Sequence, residues 1–196
     1  MGSRVHYLQA VHEADIERHL AHWEWTLAGT PPLGIEAMGS DIDVICSVEN
    51  LAEFSGAIWR AFSDRENFRI WQWVRGQRCI VANFRVARWD FEIFGSEEPL
   101  REQAAVLHFE IEERLLKRGG EGFAQAVRAA KYEGRKTEPA FAELLGLKGD
   151  AYQAMLDLHV QSDSYLDDLL ERAGYGSSAC SGRTTSSKGE GSSHNH

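Results

Sequence analysis

What the chain lacks narrows it first. Its three cysteines, Cys46, Cys79 and Cys180, are scattered and odd in number, and no Cys-x-x-Cys occurs. Neither a disulfide scaffold nor a zinc site is therefore indicated. Cys46 and Cys79 lie in apolar, strand-like runs and are expected to be small buried hydrophobes. No run of lysine and arginine is long enough to track a phosphate backbone, and 30 acids outnumber 21 bases for a formal net charge of −9. Affinity for long nucleic acid comes largely from Lys and Arg on phosphates, so such a partner is not expected. No apolar run approaches the length of a membrane span and no secretory leader is evident, which makes the reducing cytoplasm the expected compartment. No internal repeat is evident either.

What is present is a globular composition. With 196 residues, 43% of them apolar, and six tryptophans, the chain can bury one proper core. A small phosphorylated substrate remains compatible with the acidic balance, because a metal can supply the missing positive charge.

The stretch from Leu27 to Ile45 organises the rest. It reads as a helix end, a Gly/Pro loop, and a strand opening on Asp41 and Asp43. Side chains alternate along a strand, so both carboxylates project from one face while Ile42 and Val44 take the other. Two carboxylates aimed together repel unless a cation sits between them. Hard oxygen ligands of this kind suit Mg²⁺, or Mn²⁺ in its place, with the remaining coordination filled by water and phosphate. Ahead of them, Gly29 allows close backbone approach and Thr30 adds a hydroxyl, as a phosphate requires. Ten residues separate Thr30 from Asp41.

Along the chain, Val5 to Leu27 follows a three-four spacing and reads as a helix, which Pro31 and Pro32 stop. A strand over Asp41–Val48 follows, then a helix over Leu51–Phe62 capped by Asn50. The period then changes to two, predicting strands over Phe68–Val74, Cys79–Val86 and Trp89–Phe94, with a turn at Arg75-Gly-Gln and a short Ala87-Arg88 connection. Helices are expected over Glu98–Lys117, Glu121–Tyr132, Ala140–Leu145, Ala151 to about Leu158 and Ser164–Ala173. From about Gly174 the chain turns Ser/Gly-rich and is expected to be disordered, covering 175–196. The expected layout is a single domain over 1–174, its sheet-bearing part at about 27–95 and its helical part at about 97–173.

Two-metal phosphoryl transfer uses a third acid on a neighbouring strand. Trp89-Asp-Phe-Glu-Ile-Phe offers Asp90 and Glu92 on one face, and alternation does not choose between them. Lining the wet face of an edge strand is the bland alternative for both.

Several stretches together resemble a bacterial family known as domain of unknown function 4269, within the nucleotidyltransferase superfamily of polymerase-beta-like fold. They are Leu27-Ala-Gly-Thr-Pro-Pro-Leu-Gly-Ile, Gly39-Ser-Asp-Ile-Asp-Val-Ile-Cys, Val81-Ala-Asn-Phe, Phe91-Glu-Ile-Phe-Gly and Lys136-Thr-Glu-Pro-Ala-Phe-Ala. The resemblance covers about residues 5–160 and departs at Pro32, at Gly149-Asp-Ala-Tyr, and in Glu102-Gln-Ala-Ala-Val-Leu-His, which lacks the usual Asn-Ala-Tyr. It implies an α+β fold, a small mixed sheet flanked by helices with a C-terminal helical part. It places the third carboxylate at Glu92, with Asp90 in reserve. The implied chemistry is transfer of a nucleoside monophosphate from a nucleoside triphosphate to a hydroxyl of a small molecule or a protein. Asp41, Asp43 and Glu92 would hold the metal, and Gly29, Thr30 and Ser40 would cradle phosphates.

Other residues carry weaker signals. His108 is a lone helical histidine, more often a packed residue than a catalyst, although the resemblance retains it as a substrate contact or general base. Lys136 is either part of a charged helix connection with Arg135 or a point-charge clamp for a triphosphate. Glu138 reads as the acid before a helix that starts at proline, and Glu36, in the loop near the metal side, as an acid behind the metal ligands or as a residue without a role. Trp71 and Trp73 share a strand face, with core or interface packing ranked above a base-stacking platform. His194 and His196 in the polar tail are expected to have no role. The rival reading is a nucleotidyltransferase-like scaffold that serves as a nucleotide-binding or protein-interaction module. A haloacid-dehalogenase-type phosphatase fits poorly, because Val44-Ile45 lacks the expected Thr, and a glycosyltransferase needs a larger sugar-nucleotide domain. The acceptor, the base preference and the oligomeric state are left open.

Overall fold

Two short helices, α1 (Tyr7–Glu13) and α2 (Ile16–His19), open the computed structural model, which describes residues 4–74, 76 and 78–176. The expected first helix does not continue to Leu27. It ends at His19, and Glu24–Ala28 is a strand, β1. Trp25 and Leu27 pack toward the main core, whereas Thr26 and Ala28 are paired with Ile45 and Asp43 on the opposite face. That period of two, in a segment rich in aromatic and β-branched residues, outweighs the approximate helical spacing. Pro31 and Pro32 do not end a helix but lie in the first turn of a short one, α3 (Thr30–Leu33), where their missing N–H groups cost nothing.

Strand β2 (Ile42–Ser47) leads to helix α4 (Leu51–Phe62), then to β3 (Glu66–Trp73), β4 (Cys79–Val86) and β5 (Trp89–Ser96). The Asn50 side chain caps α4 by accepting from the amides of Ala52 and Glu53 at 3.0 and 3.1 Å. The described residues form a five-stranded sheet in the order β1-β2-β5-β4-β3, with β2 and β5 parallel and every other pair antiparallel. β4 and β5 are joined by Ala87 and Arg88, both at positive φ, as a two-residue hairpin turn requires.

One sheet face carries the main core, where α1, α2 and α4 cover Ile42, Val44, Ala82, Phe84, Phe91 and Ile93. Gly95 lets Phe54 of α4 lie directly on the strand; a Cβ there would stand 2.2 Å from the ring. Cys46 and Cys79 are buried, as the sequence indicates. Trp71 and Trp73 are not core residues: they are 40% and 53% exposed on β3, an edge strand of the sheet.

After a single 3-10 turn (Leu100–Glu102), the chain continues as α5 (Ala104–Tyr132), α6 (Thr137–Leu144), α7 (Ala151–His159) and α8 (Asp163–Arg172). The two helices expected on either side of Lys117 run almost end to end within α5 and are broken at Gly120, at φ +66° and ψ −167°. Ile111, Leu115, Phe123, Phe141, Met155 and Leu166 build a second core among these helices. A smaller cluster of Ala28, Ile45, Leu100 and Val106 joins α5 to the second sheet face. Tyr175, expected in a coreless tail, packs on Phe123 with ring centroids 5.0 Å apart. The rest of the tail, with Cys180, His194 and His196, lies outside the described residues, as do Arg75 and Gln77 of the expected turn. Among the described residues no helix is long and apolar enough to cross a membrane.

Candidate functional site

The sheet face opposite α4 carries the acids. Asp43 pairs in register with Ala28 of β1 on one side and with Glu92 of β5 on the other. Neighbouring strands lie about 4.8 Å apart, so the two carboxylates share one patch of surface. Asp41 is exposed just before β2, one residue ahead of the strand's observed start at Ile42. Burial pushes the Asp43 carboxyl up to about 7, and the charges of Asp41, Glu92 and Glu138 push the same way.

The structure separates the two reserves on β5. Arg85 Nε and Nη2 donate to the two oxygens of Asp90, each at 2.7 Å, and hold its carboxyl below the usual range. Glu92 instead accepts from Asn83 Nδ2 at 3.2 Å and faces Asp43. Of the two, Glu92 is therefore the one brought to the aspartates.

Gly29 holds φ +73° and ψ −165°, and a Cβ built on it would stand 2.1 Å from Asp43 Oδ2. The bare backbone and the carboxylate are thus in direct contact. Thr30 donates its hydroxyl to Ser40 Oγ at 2.9 Å, and Ser40 Oγ also accepts from the amide of Ala37 at 3.0 Å. These bonds tie the start of α3 to the loop that leads into Asp41.

Between this face and α5 lies a cleft of about 320 Å³. Its far wall comes from residues to which the sequence reading gave little weight. Glu112, one turn beyond His108 on α5, is 4% exposed and lines the cleft. Burial pushes its carboxyl up to about 8, with Glu138 adding to the effect. His108 is 9% exposed; its Nε2 donates to the Tyr152 carbonyl at 3.1 Å and its Nδ1 lies 3.4 Å from Glu138 Oε1. Both ring nitrogens are thus engaged within the protein, and His108 braces α5 against α6 and α7. Glu138, read from sequence as a helix-start acid, lines the cleft instead.

Lys136 is exposed at the start of α6 and is not among the cleft residues. A cation that does face the acids is Lys131, whose Nζ donates to Thr137 Oγ1 at 2.8 Å. Burial lowers its pKa, while Glu112, Glu138 and Asp41 raise it. For Glu112 the available signal was a charged residue on the apolar face of a helix, four after His108. Lys131 carries no signal of its own, because its role depends on how α5 and α6 pack.

The donor set around Asp43 is oxygen-only and mutually repelling, as a hard dication requires. Among the described residues, however, no three acid, His or Cys side chains already converge on one point. Because Asp43 and Glu112 hold raised carboxyl pKa values, the folded chain keeps protons there that the unfolded chain releases near pH 4. As far as these groups decide it, stability is therefore highest below about pH 4, falls as pH rises, and levels off once pH has passed about 7 for Asp43 and about 8 for Glu112. Denaturant unfolding at pH 5.5 and 8.5 in chelator should show the loss; equal stability at both would contradict the strained carboxyls.

Comparison with solved structures identifies the fold. A chain of the GLD-2/RNP-8 complex superposes with a TM-score of 0.53 at 9% identity, covering 83% of this chain and 74% of that one. Cid1 poly(U) polymerase in its MgGTP-bound structure matches with a TM-score of 0.50 at 12% identity, over 76% of this chain and 47% of Cid1. A second Cid1 structure, described for its RNA terminal uridylyl transferase activity, gives 0.50 at 12% identity. This chain therefore spans less than half of Cid1, and the likeness is one of fold. That fold is the nucleotidyltransferase fold, a five-strand mixed sheet with a C-terminal helical region, as the sequence resemblance implied. The chain belongs to the family described as domain of unknown function DUF4269, whose model matches residues 9–158. No curated protein matches it in sequence.

Proposed function

We propose that this protein is a metal-dependent nucleotidyltransferase that moves a nucleoside monophosphate from a nucleoside triphosphate to a hydroxyl of a small molecule or a protein. The observation that carries the reading is the pairing of Asp43 with Glu92 across β2 and β5, with Asp41 beside them and the bare backbone of Gly29 against Asp43. Asp41, Asp43 and Glu92 would hold Mg²⁺, or Mn²⁺ in its place, which neutralises phosphate oxygens and acidifies a bound hydroxyl.

In this reading the two substrates take opposite sides of Asp43. Gly29, Thr30 and Ser40 lie on the β1 side of Asp43, where close backbone approach at Gly29 and the Thr30 and Ser40 hydroxyls would suit the phosphates. Glu92 lies on the other side, toward β4, with its carboxylate oriented by Asn83. The acceptor oxygen attacks the α-phosphorus from that side. An O–P bond forms, the bond from the α-phosphorus to the bridging oxygen breaks, and pyrophosphate leaves with that electron pair. The hydroxyl proton passes to the Glu92 carboxylate. His108, with both nitrogens engaged, keeps the α5 wall in place.

Calorimetry with ATP, GTP, CTP and UTP, with and without Mg²⁺, tests the site. Magnesium-dependent binding is expected in the native chain, weakened at least about tenfold in Asp41→Ala/Asp43→Ala. Absence of binding in both proteins would transfer the reading to a non-catalytic scaffold.

A further inference from the structure

We propose that β3 is the contact strand of a symmetric homodimer, in which two copies of this chain join their sheets edge to edge.

β3 ends the sheet and pairs with β4 alone. Alternate residues of such a strand turn their N–H and C=O groups outward, a template for one more strand. The usual defences protect only its beginning. The register shifts between Glu66 and Arg69, with Asn67 at φ +60°. From Arg69 to Trp73 the pairing is regular, and Phe68–Val74 contains no proline, no lysine and no acid. A groove of about 470 Å³ runs beside it, between Ala52 and Ser55 of α4 and Ile70 and Gln72 of β3.

Exposed indole gathers on the same edge. Trp59, Trp71 and Trp73 are 57%, 40% and 53% exposed, whereas the other three tryptophans are buried or half-buried. Trp59 reaches the edge from α4, its ring centroid 5.6 Å from that of Phe68. At about 250 Å² for a whole side chain, the three leave on the order of 350 Å² of apolar surface per copy. That is nearly half of the about 800 Å² each partner brings to a standard interface, before any backbone is counted. Apolar surface of this extent marks a contact site.

The occupant is a second copy, because the strand is complementary to itself. At a net charge of −9, copies repel one another over most of their surface. Phe68–Val74 is a place where they can meet, since its one charge is Arg69. An antiparallel twofold pairing centred on Trp71 uses the whole run. Trp71 then faces the partner's Trp71, and Arg69 faces the partner's Trp73, guanidinium over indole. On the other sheet face Ile70 meets the partner's Gln72, and Phe68 the partner's Val74. No like charges are opposed. The chain's own residues 177–196 contain no aromatic, leucine, isoleucine, valine or methionine with which to cover this edge. Both copies use the same strand, so the contact closes as a dimer instead of growing into a fibre. Arg69 continues the row Asp43, Glu92, Asn83 across the strands, so both acid faces open on the same side of the joined sheet.

Sedimentation of the full chain from about 5 to about 500 μM should show a reversible monomer–dimer equilibrium with a midpoint in the micromolar range. Trp71→Arg, which sets two cations together at the axis, should leave a monomer at every concentration. Arg69→Glu, on an exposed side chain, should weaken association at least about tenfold. Val160→Arg adds the same charge at a residue 79% exposed on the helical half and should leave the dimer intact. Register is read by air oxidation of single cysteines placed in the Cys180→Ser chain. Trp71→Cys should form a disulfide-linked dimer, because paired Cα atoms lie about 4.5–5.5 Å apart. Gln72→Cys should not, its two copies being about 8 Å apart in that register. A native chain that stays monomeric at about 500 μM overturns the proposal and assigns the edge to a different protein. A dimer that survives both Trp71→Arg and Arg69→Glu, or equal cross-linking of the two cysteine variants, overturns it as well.

Discussion

Asp43→Asn is expected to yield a protein more stable than the native chain above neutral pH and without magnesium-dependent nucleotide binding. The two effects have one cause. Burial and the neighbouring Asp41 and Glu92 push the Asp43 carboxyl up to about 7, so holding it ionised without a cation beside it works against folding. With each pKa unit equivalent to about 1.4 kcal/mol, the neutral isostere should add up to on the order of 4 kcal/mol at pH 8.5, and little at pH 4. Loss of a metal-holding carboxylate should cost transfer at least about 10³-fold, or about 4 kcal/mol of transition-state stabilisation. Unfolding in chelator at the two pH values, with labelled-nucleotide transfer measured alongside, would check both. A variant that is less stable than the native chain at pH 8.5 would show that the carboxylate is not strained.

Gly29→Ala should damage folding and nucleotide binding together. The backbone there, at φ +73° and ψ −165°, is essentially confined to glycine, and forcing another residue into it costs about 1–3 kcal/mol. The added methyl would also stand 2.1 Å from Asp43 Oδ2, so the aspartate or the β1 end must move. The expected result is a melting temperature several degrees lower, together with nucleotide binding too weak to detect. Gly34→Ala is the control: φ is also positive, at +68°, but no atom lies within 4 Å of the added carbon. If both variants bind nucleotide equally, contact with Asp43 is not what Gly29 provides.

Much of this arrangement could be read before any coordinates. Alternation put Asp41 and Asp43 on one face and Ile42 and Val44 on the other, and the latter pair lies in the core. Cys79–Val86 and Leu51–Phe62 match to the residue. Where the reading failed, local pattern was ambiguous or irrelevant. Trp23 and Leu27 fit a helical spacing as well as a strand, and only pairing of Glu24–Ala28 with β2 decides the matter. Asp90 and Glu92 have identical local patterns; what separates them is Arg85, across a hairpin on another strand. Trp71 and Trp73 look like core residues until β3 is seen to be the last strand of the sheet. Glu112, Glu138 and Lys131 come together only through the packing of α5 on α6, which no single-segment pattern reports.

The strand order has a consequence for how such a site comes into being. Asp43 belongs to the β1–β2 hairpin, and Glu92 to the β3–β4–β5 meander, each of which closes through local contacts. The parallel seam between β2 and β5 joins partners 49 positions apart in the chain, such as Asp43 and Glu92, and so carries the larger loop-closure cost. The acids therefore meet at the seam of two separately forming units. Neither unit holds the set alone, and a nascent or proteolytically nicked chain in which the meander has not docked would fold locally while still lacking a place to bind.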